Sequence, residues 1–322
     1  MSNHHDGFIE RVIDGPDGRR LDVASIGPVT GRTVVLHHGT PGTASLVRLF
    51  SDVAEAFNLF VAGVSRPGYG ASTRRAGRAV GSVVEDVHVA LDALGRDRYL
   101  AVGWSGGGPH ALACAALGAP RCLAAWSLAG VALGAPRCLA AWSLAGVAPV
   151  DAGFDWTEGM GPENLEEFAL AREAGPAYEA FMAETAAAFA VATPASVIPL
   201  SGGLLSPVDR AALDGEDVRT LMAASMREAF TTGWRGFYDD DRAMLEPWGF
   251  DLAAISVPVA IWYGEHDLMV PPTHGRWLGG AIPGATTSYF ADDGHVSLVL
   301  AHGRDLATAL SDPAYAGADP YQ

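Results

Sequence analysis

Short, continuous apolar runs that are typical of buried strands alternate with helix-compatible stretches along most of this chain. The first two runs, 8–13 and 21–26, flank a turn rich in Pro, Gly and Asp, and they predict an antiparallel hairpin. Further strands are predicted at 33–38, 58–64, 99–104, 257–264 and 286–291. Because strands that alternate with helices form parallel sheets with helices on both faces, the pattern predicts an α/β fold.

Residues 150–245 interrupt this alternation, since they are rich in Ala, Glu and Met and have no strand-like run. Prolines divide them into several predicted helices, which favours a helical lid inserted over the strand ends. The predicted organisation therefore has three parts. Residues 1–149 form the first part of an α/β core, residues 150–245 form the cap or lid, and residues 246–322 complete the core.

A tandem duplication lies within the first part of the core. Residues 117–132, LGAPRCLAAWSLAGVA, recur without change as residues 133–148. One copy suffices to end a helix and to supply the next, interior strand, so we expect the other copy to form a loop or helix outside the sheet. Identical residues do not show which copy enters the sheet. A recent duplication without a function of its own is the simpler interpretation, and a role in dimerisation or lid placement is the alternative.

Composition excludes several classes of protein. The 322 residues include 21 basic and 37 acidic side chains, and the net charge of −16 repels nucleic acids and anionic membrane surfaces. The N-terminal segment has neither the basic nor the apolar region of a signal peptide, which predicts a cytoplasmic protein. The three cysteines show no metal-ligand spacing to any histidine, so neither a metal site nor a disulfide framework is predicted.

The glycine-rich segment GWSGGG, residues 103–108, stands between a predicted strand and a predicted helix. Small residues at Gly103 and Gly107 permit a sharp turn that would expose the Ser105 hydroxyl above the sheet as a nucleophile. The alternatives are a serine that only caps the helix and a phosphate-binding loop. The loop contains no lysine, which weakens the second alternative.

The segment HHGTPG, residues 37–42, follows the first strand of the predicted parallel sheet. A tetrahedral intermediate needs two convergent N–H donors, and the loop after this strand is where such folds provide the second one. The N–H groups of Thr40 and Gly106 are the candidate pair. His37 and His38 are equally explained as structural histidines.

A carboxylate and a histidine follow the last two predicted strands. Asp267, in YGEHDLMVPP, is the candidate for the group that orients a catalytic base; Glu265 and His266 rival it by proximity and Asp151 by topology. His295, in ADDGHVSLV, is the candidate base because its loop follows the last predicted strand and should lie at the same carboxyl edge of the sheet as Ser105.

Two other histidines, His274 and His302, are interpreted as surface residues. The predicted lid also contains aromatic residues that would supply an apolar acyl pocket, namely Phe154, Trp156, Phe181 and Trp234. Packing within the lid explains these aromatic residues equally well.

The sequence resembles the α/β-hydrolase superfamily over nearly its whole length. Within the superfamily it is most similar to the bacterial proline iminopeptidase-like and epoxide hydrolase-like branch. The resemblance is carried by HGTPG at 38–42, SRPGYGAS at 65–72, GWSGGGPHALA at 103–113, GEHDLMVPP at 264–272 and DDGH at 292–295. It implies an eight-stranded, mostly parallel sheet, a helical cap after the sixth strand and no cofactor. It also implies Ser105 as nucleophile, Asp267 as acid, His295 as base, and Thr40 and Gly106 as oxyanion donors.

These features predict a serine hydrolase that cleaves a small ester, amide or related acyl bond through an acyl-enzyme intermediate. An aminopeptidase of the proline iminopeptidase type, with Glu163, Glu166 or Glu167 reading the substrate amine, is one alternative. A lyase or a haloperoxidase-like enzyme on the same site is another, and a catalytically idle binding module is the alternative from a different class. The expected partner is a small acyl substrate, and a homodimer is a default expectation that no particular residue supports.

Overall fold

A single sheet organises the protein, whose computed structural model describes residues 7–118 and 137–315. The strands found in these residues are β1 (Ile9–Asp14), β2 (Arg20–Ile26), β3 (Arg32–His37), β4 (Leu59–Val64), β5 (Tyr99–Trp104), β6 (Cys138–Leu144), β7 (Val259–Gly264) and β8 (Thr286–Phe290). Their order across the sheet is β1-β2-β4-β3-β5-β6-β7-β8. Strand β2 runs antiparallel to its neighbours β1 and β4, and the other neighbouring pairs are parallel. The predicted α/β class with an eight-stranded, mostly parallel sheet is confirmed.

The first two strands form the predicted hairpin. Asp14 pairs with Arg20, and the turn between them is closed by a hydrogen bond of 2.7 Å from the N–H of Gly15 to the carbonyl of Arg19. Gly18 has a φ of +78°, a left-handed conformation that glycine adopts without strain. The turn residues recognised in the sequence therefore set the register of this edge of the sheet.

Helices connect the parallel strands and fill the long segment between β6 and β7. Within the described residues they are α1 (Ser51–Ala54), α2 (Val83–Ala93), α3 (Gly108–Leu117), α4 (Pro162–Glu173), α5 (Pro176–Phe189), α6 (Val197–Ser201), α7 (Pro207–Ala212), α8 (Glu216–Ala229), α9 (Arg235–Leu245), α10 (Pro272–Ala281), α11 (His295–Ala301) and α12 (Gly303–Leu310). A 3₁₀ helix, Ala44–Phe50, precedes α1. The last two α-helices, α11 and α12, meet at His302.

Both faces of the sheet are covered. Along β3, Val35 belongs to one buried apolar cluster, whereas Val34 and Leu36 belong to another. The first cluster includes residues of α2, α3 and α10, and the second includes residues of α1, α11 and α12. Successive side chains of a strand point to opposite faces, so continuous apolar runs such as VVL satisfy both layers at once.

The second copy of the duplicated segment supplies strand β6. Residues 138–144 pair with β5 on one side and β7 on the other, so the strand has the interior position expected of it. The first copy, apart from Leu117 and Gly118, lies outside the described residues. The N–H of Arg137 donates a hydrogen bond of 3.0 Å to the carbonyl of Gly118, so the end of α3 and the start of β6 lie side by side.

The segment from α4 to α9, residues 162–245, is called the helical insertion below. Residues 145–258 are all described and contain helices but no strand, as the loss of alternation in the sequence indicates. Pro162, Pro176 and Pro207 each occupy the first turn of a helix, where a missing N–H costs no hydrogen bond. None of the helices in the described part of the chain is long and apolar enough to span a bilayer.

Candidate active site

Ser105 stands at the point where β5 ends and the chain turns into α3. Its φ is +57°, a left-handed conformation that costs a non-glycine residue on the order of 1 kcal/mol or more. The turn is tight, because a Cβ on Gly103 would lie 2.1 Å from the carbonyl oxygen of Gly107, and a Cβ on Gly107 would lie 2.2 Å from that of His37. Only glycine fits at these two positions, and the result is a serine that is partly exposed at the carboxyl edge of the sheet.

The loop after β3 runs beside this turn. A Cβ on Gly106 would lie 2.3 Å from Oγ1 and 3.4 Å from the backbone nitrogen of Thr40. A Cβ on Gly39 would lie 3.4 Å from the Cβ of Ser105. Gly106 and Thr40, the two candidate oxyanion donors, are therefore immediate neighbours, and both lie next to Ser105.

His295 begins helix α11, and its Nδ1 lies 2.8 Å from Oδ2 of Asp267, which follows β7. The two residues, His295 and Asp267, are 1% and 2% exposed. The other carboxylate oxygen of Asp267 accepts hydrogen bonds of 2.8 and 2.7 Å from the N–H groups of Met269 and Val270, which fix its orientation. Burial alone would lower the pKa of His295, but the charge of Asp267 and its hydrogen bond raise that pKa above its ordinary value.

The three rivals of Asp267 lie on the surface. Glu265, His266 and Asp151 are exposed, and Glu265 forms an ion pair of 3.1 Å with Arg276. Of the four, only Asp267 contacts His295. Position in the loop separates these residues: Glu265 and His266 point to solvent, whereas Asp267 is buried against His295 at the start of α11.

A cavity of about 580 Å³ opens in front of these residues. Thr40, Ser105, Gly106 and His295 line it, whereas Asp267 lies behind His295. Much of the remaining wall comes from the helical insertion and is apolar; it includes Phe168, Phe181, Phe189, Met222 and Phe237. The cavity thus joins four of the five predicted site residues to an apolar chamber.

The aromatic residues expected to form an acyl pocket divide into two groups. Phe181 lines the cavity, but Phe154, Trp156 and Trp234 do not. Trp156 is 3% exposed and packs edge-on against the buried ring of His274, with 5.3 Å between ring centroids. Aromatic residues that line a pocket and those that pack in a core are of the same residue types, so the sequence alone did not distinguish Phe181 from the other three.

The prediction that His274 is a surface residue is wrong, because the residue is only 1% exposed. Its ring nitrogens bond the backbone N–H of Ala148 at 3.0 Å and the carbonyl of Trp156 at 2.9 Å, and burial lowers its pKa to about 4. Burial likewise lowers the pKa of His37 to about 3 and holds that of His38 well below its ordinary value. His38 bonds the carbonyl of Gly39 at 2.7 Å and accepts the N–H of Arg66 at 3.1 Å, so this neutral histidine holds the backbone beside Thr40.

A buried ion-pair network supports the loop that carries Thr40. The guanidinium of Arg66 donates hydrogen bonds to the carbonyls of His38 and Gly39 at 2.6 and 2.9 Å and to Asp240 of α9 at 2.6 Å. Asp240 accepts a further hydrogen bond of 2.9 Å from the Thr40 hydroxyl. Sequence reasoning missed Asp240, although Arg66 lies in the SRPGYGAS motif that it singled out.

Carboxyl groups form one polar part of the cavity wall. Glu167 and Asp241 interact there, and Tyr178 donates a hydrogen bond of 2.7 Å to Asp241. Desolvation raises the pKa of Glu167 to about 8; desolvation and the neighbouring charge of Glu167 raise that of Asp241. No arginine among the described residues lines the cavity. Burial and their mutual repulsion therefore favour the protonated forms of these two neighbouring carboxyl groups.

Comparison with known proteins agrees with this architecture. A family model described as "alpha/beta hydrolase fold" matches residues 32–190. Similar solved structures include an esterase from Exiguobacterium antarcticum (17% identity, TM-score 0.61, 94% of this chain and 98% of that chain) and the enol-lactonase from Burkholderia xenovorans LB400 (19%, 0.59, 93% and 97%). A bromoperoxidase from Bacillus anthracis is similar to the same degree (19%, 0.62, 94% and 98%). At these identities the structural similarity establishes the fold alone.

The strand order, the turn at Ser105 and the family match define an α/β-hydrolase fold. This chain belongs to the α/β-hydrolase superfamily. No curated protein matches its sequence. The particular branch suggested by the motifs remains a prediction.

Proposed function

We propose that this protein is a serine hydrolase that cleaves a small ester, amide or related acyl bond through an acyl-enzyme intermediate. The observation that carries the proposal is the buried hydrogen bond between His295 and Asp267, 2.8 Å long, behind a cavity that both Ser105 and His295 line. A hydroxyl, an imidazole and a carboxylate arranged in this order activate serine for attack on a carbonyl.

In the proposed cycle, His295 accepts the proton of the Ser105 hydroxyl while the Ser105 oxygen attacks the substrate carbonyl carbon. The N–H groups of Thr40 and Gly106 stabilise the negative charge on the carbonyl oxygen, and each contributes on the order of 3 kcal/mol. His295 then gives its proton to the leaving group, and an acyl-Ser105 ester remains. Water, deprotonated by His295, attacks this ester and releases the acid and the free serine.

Asp267 has two roles in the proposed cycle. Its hydrogen bond to Nδ1 directs Nε2 of His295 toward the cavity, and its charge favours the imidazolium that forms when Ser105 loses its proton. Since the base must be neutral to act, kcat/KM should fall as the pH drops below the raised pKa of His295.

The cavity supports an apolar acyl group of modest size as the substrate. Its volume of about 580 Å³ lies within the range of small-molecule sites, and aromatic residues of the helical insertion contribute much of its wall. We propose that residues 150–245 act as a cap over a core built from residues 1–149 and 246–322. In this arrangement the helical insertion would control entry of the substrate and exclude water from the acyl-enzyme.

The direct test combines labelling with turnover. A fluorophosphonate probe should label the wild-type protein, and short p-nitrophenyl esters should be hydrolysed. The Ser105→Ala variant should lose both the labelling and the turnover. Ser225→Ala is a matched control, because Ser225 lines the same cavity but belongs to α8, and it should keep both.

The outcomes of this test separate the classes of function. Labelling without turnover of any acyl substrate would favour a lyase or haloperoxidase-like reaction on the same residues. Absence of labelling would favour a binding module. Turnover that survives in Ser105→Ala would contradict the proposed nucleophile.

One observation favours a second candidate, an aminopeptidase of the proline iminopeptidase type. Glu167 and Asp241 lie together at the cavity wall with raised pKa values, and a substrate ammonium group would supply the positive charge that stabilises their ionised forms. A preference for an aminoacyl p-nitroanilide over its desamino analogue, lost in Asp241→Asn, would support this candidate. Equal rates for the two substrates would contradict it.

A further inference from the structure

A second carboxylate contacts the segment that carries His295, and it comes from the helical insertion. Asp209 of α7 is fully buried. Its Oδ1 accepts hydrogen bonds from the N–H groups of Val296 and Ser297 at 2.8 and 2.9 Å. Its Oδ2 accepts hydrogen bonds from the N–H of His295 at 3.1 Å and from the hydroxyl of Ser206 at 2.8 Å. One side chain thus binds three consecutive N–H groups at the start of α11.

Helix formation makes these three N–H groups available. The first four N–H groups of a helix have no partner within it, so an anion at this end binds several donors and interacts with the positive end of the helix dipole. Desolvation alone would raise the pKa of Asp209, but these hydrogen bonds and the charge of His295 lower it, so the carboxylate is ionised. The contact is therefore charge-assisted and inaccessible to water, which makes it stronger than an exposed helix cap.

Gly294 makes the approach of Asp209 possible. A Cβ at position 294 would lie 2.3 Å from Oδ2 and 2.7 Å from Oδ1 of Asp209. The φ of Gly294 is −109°, which lies outside the left-handed region that favours glycine. Glycine at this position leaves room for the carboxylate of the helical insertion.

We propose that Asp209 is a positioning residue that ties the helical insertion to the backbone of His295 and so holds the imidazole in line with Ser105. The proposal rests on the proposed hydrolase function. Asp267 fixes the ring from one side, and Asp209 fixes the backbone from the other, so the base is held by one carboxylate of the core and one of the insertion. A displaced insertion would carry Asp209 away and leave the position of His295 less well defined.

Asp209 also acts on the electrostatics of the base. The titratable groups that act on His295 are Asp267 and Asp209, and the negative charge of each favours the protonated ring. Removing the charge of Asp209 should therefore move the acidic limb of the kcat/KM profile to lower pH. A contact that only stabilised the fold would leave this limb in place.

The test uses three variants of the full chain, with kcat and KM measured on a short p-nitrophenyl ester and expressed per site titrated by fluorophosphonate. Asp209→Asn should lower kcat roughly 100-fold, with KM within roughly threefold of wild type, because a misplaced base slows chemistry more than binding. Its acidic limb should move to lower pH. Gly294→Ala keeps the charge but displaces the carboxylate, and it should lower kcat in the same way.

Ser206→Ala is the matched control. It removes one hydrogen bond to Asp209 and leaves the charge and the three backbone contacts, so kcat should stay within roughly threefold of wild type. The proposal is overturned if Asp209→Asn and Gly294→Ala have wild-type kcat and wild-type pH profiles per titrated site. If Asp209→Asn does not fold, Gly294→Ala alone decides. Activity that survives in Ser105→Ala refutes the hydrolase function instead, so the two failures remain distinct.

Discussion

Asp240 and Asp241 are neighbours on helix α9 and are both fully buried, yet their surroundings are opposite. Asp240 forms ion pairs of 2.6 and 2.5 Å with Arg66 and Arg78. Desolvation would raise its pKa, but the two guanidinium groups outweigh that effect and hold the pKa well below its usual range. Asp241 faces Tyr178 and Glu167 instead, and its pKa is raised.

The difference shows how one helix serves two purposes. Successive residues of a helix point about 100° apart, so Asp240 reaches the loop of Thr40, whereas Asp241 reaches the cavity. The charged carboxylate fixes backbone geometry at the candidate site. Protonation of Glu167 and Asp241, which their raised pKa values favour, avoids the cost of an unpaired charge in the cavity wall.

The largest effect should follow from Asp240→Asn. The substitution leaves Arg66 and Arg78 without a counter-charge in the interior, so we expect the free energy of unfolding to fall by about 3 to 5 kcal/mol. Urea denaturation measures it. Asp239→Asn is the matched control: its partner Arg74 is 37% exposed, and the loss should be about 1 kcal/mol. Equal losses of unfolding free energy in the two variants would show that the buried ion pairs of Asp240 contribute no more to stability than the partly exposed pair of Asp239.

A smaller effect than that of Asp240→Asn is expected from Glu167, whose raised pKa should make the free energy of unfolding depend on pH. The folded-state pKa of Glu167 is raised, so the native state binds more protons than the unfolded chain between about 4.5 and about 8. Stability from this group is present at low pH and is lost as the pH rises through the raised pKa. We expect a loss on the order of 1 kcal/mol across this window, and Glu167→Gln should flatten it. Denaturation at pH 5 and pH 8 compares the two proteins, and an equal change in the free energy of unfolding between the two pH values would contradict the raised pKa of Glu167.

The smallest effect should follow from Asp241→Asn. An amide replaces a carboxyl group whose raised pKa favours the protonated form, and its oxygen can still accept the hydrogen bond from Tyr178. We expect the free energy of unfolding at pH 7 to change by less than about 1 kcal/mol. A loss as large as that of Asp240→Asn, measured by the same urea denaturation, would mean that Asp241 is ionised in the folded protein.

Much of this molecule follows from its sequence because the relevant signals are local. Apolar runs gave the strands, and glycines around Ser105 gave the tight turn after β5. Loops that follow parallel strands meet at one edge of the sheet, which is why Asp267 and His295, 28 positions apart, were expected to lie together. Their catalytic roles remain a prediction.

Other features depend on contacts between distant segments, which no local pattern records. Asp240 and Asp241 are adjacent acidic residues of one run, and the partners that distinguish them are distant: Arg66 and Arg78, which bind Asp240, lie more than 160 positions away. Asp209 likewise has no motif, because its partners are backbone N–H groups. His274 has the local sequence of an exposed residue, and its burial comes from packing against Trp156.

The hydrogen bond between Gly118 and Arg137 suggests how the fold accommodates the duplication. After removal of residues 119–134, the sequence would read Gly118, Ala135, Pro136, Arg137, and the carbonyl of the first residue already lies 3.0 Å from the N–H of the fourth. That is the hydrogen bond of a four-residue turn. A chain with a single copy and the duplicated chain can thus share this turn, which lies at the amino end of β6, the edge of the sheet opposite Ser105. The same turn is a natural place to graft a foreign peptide.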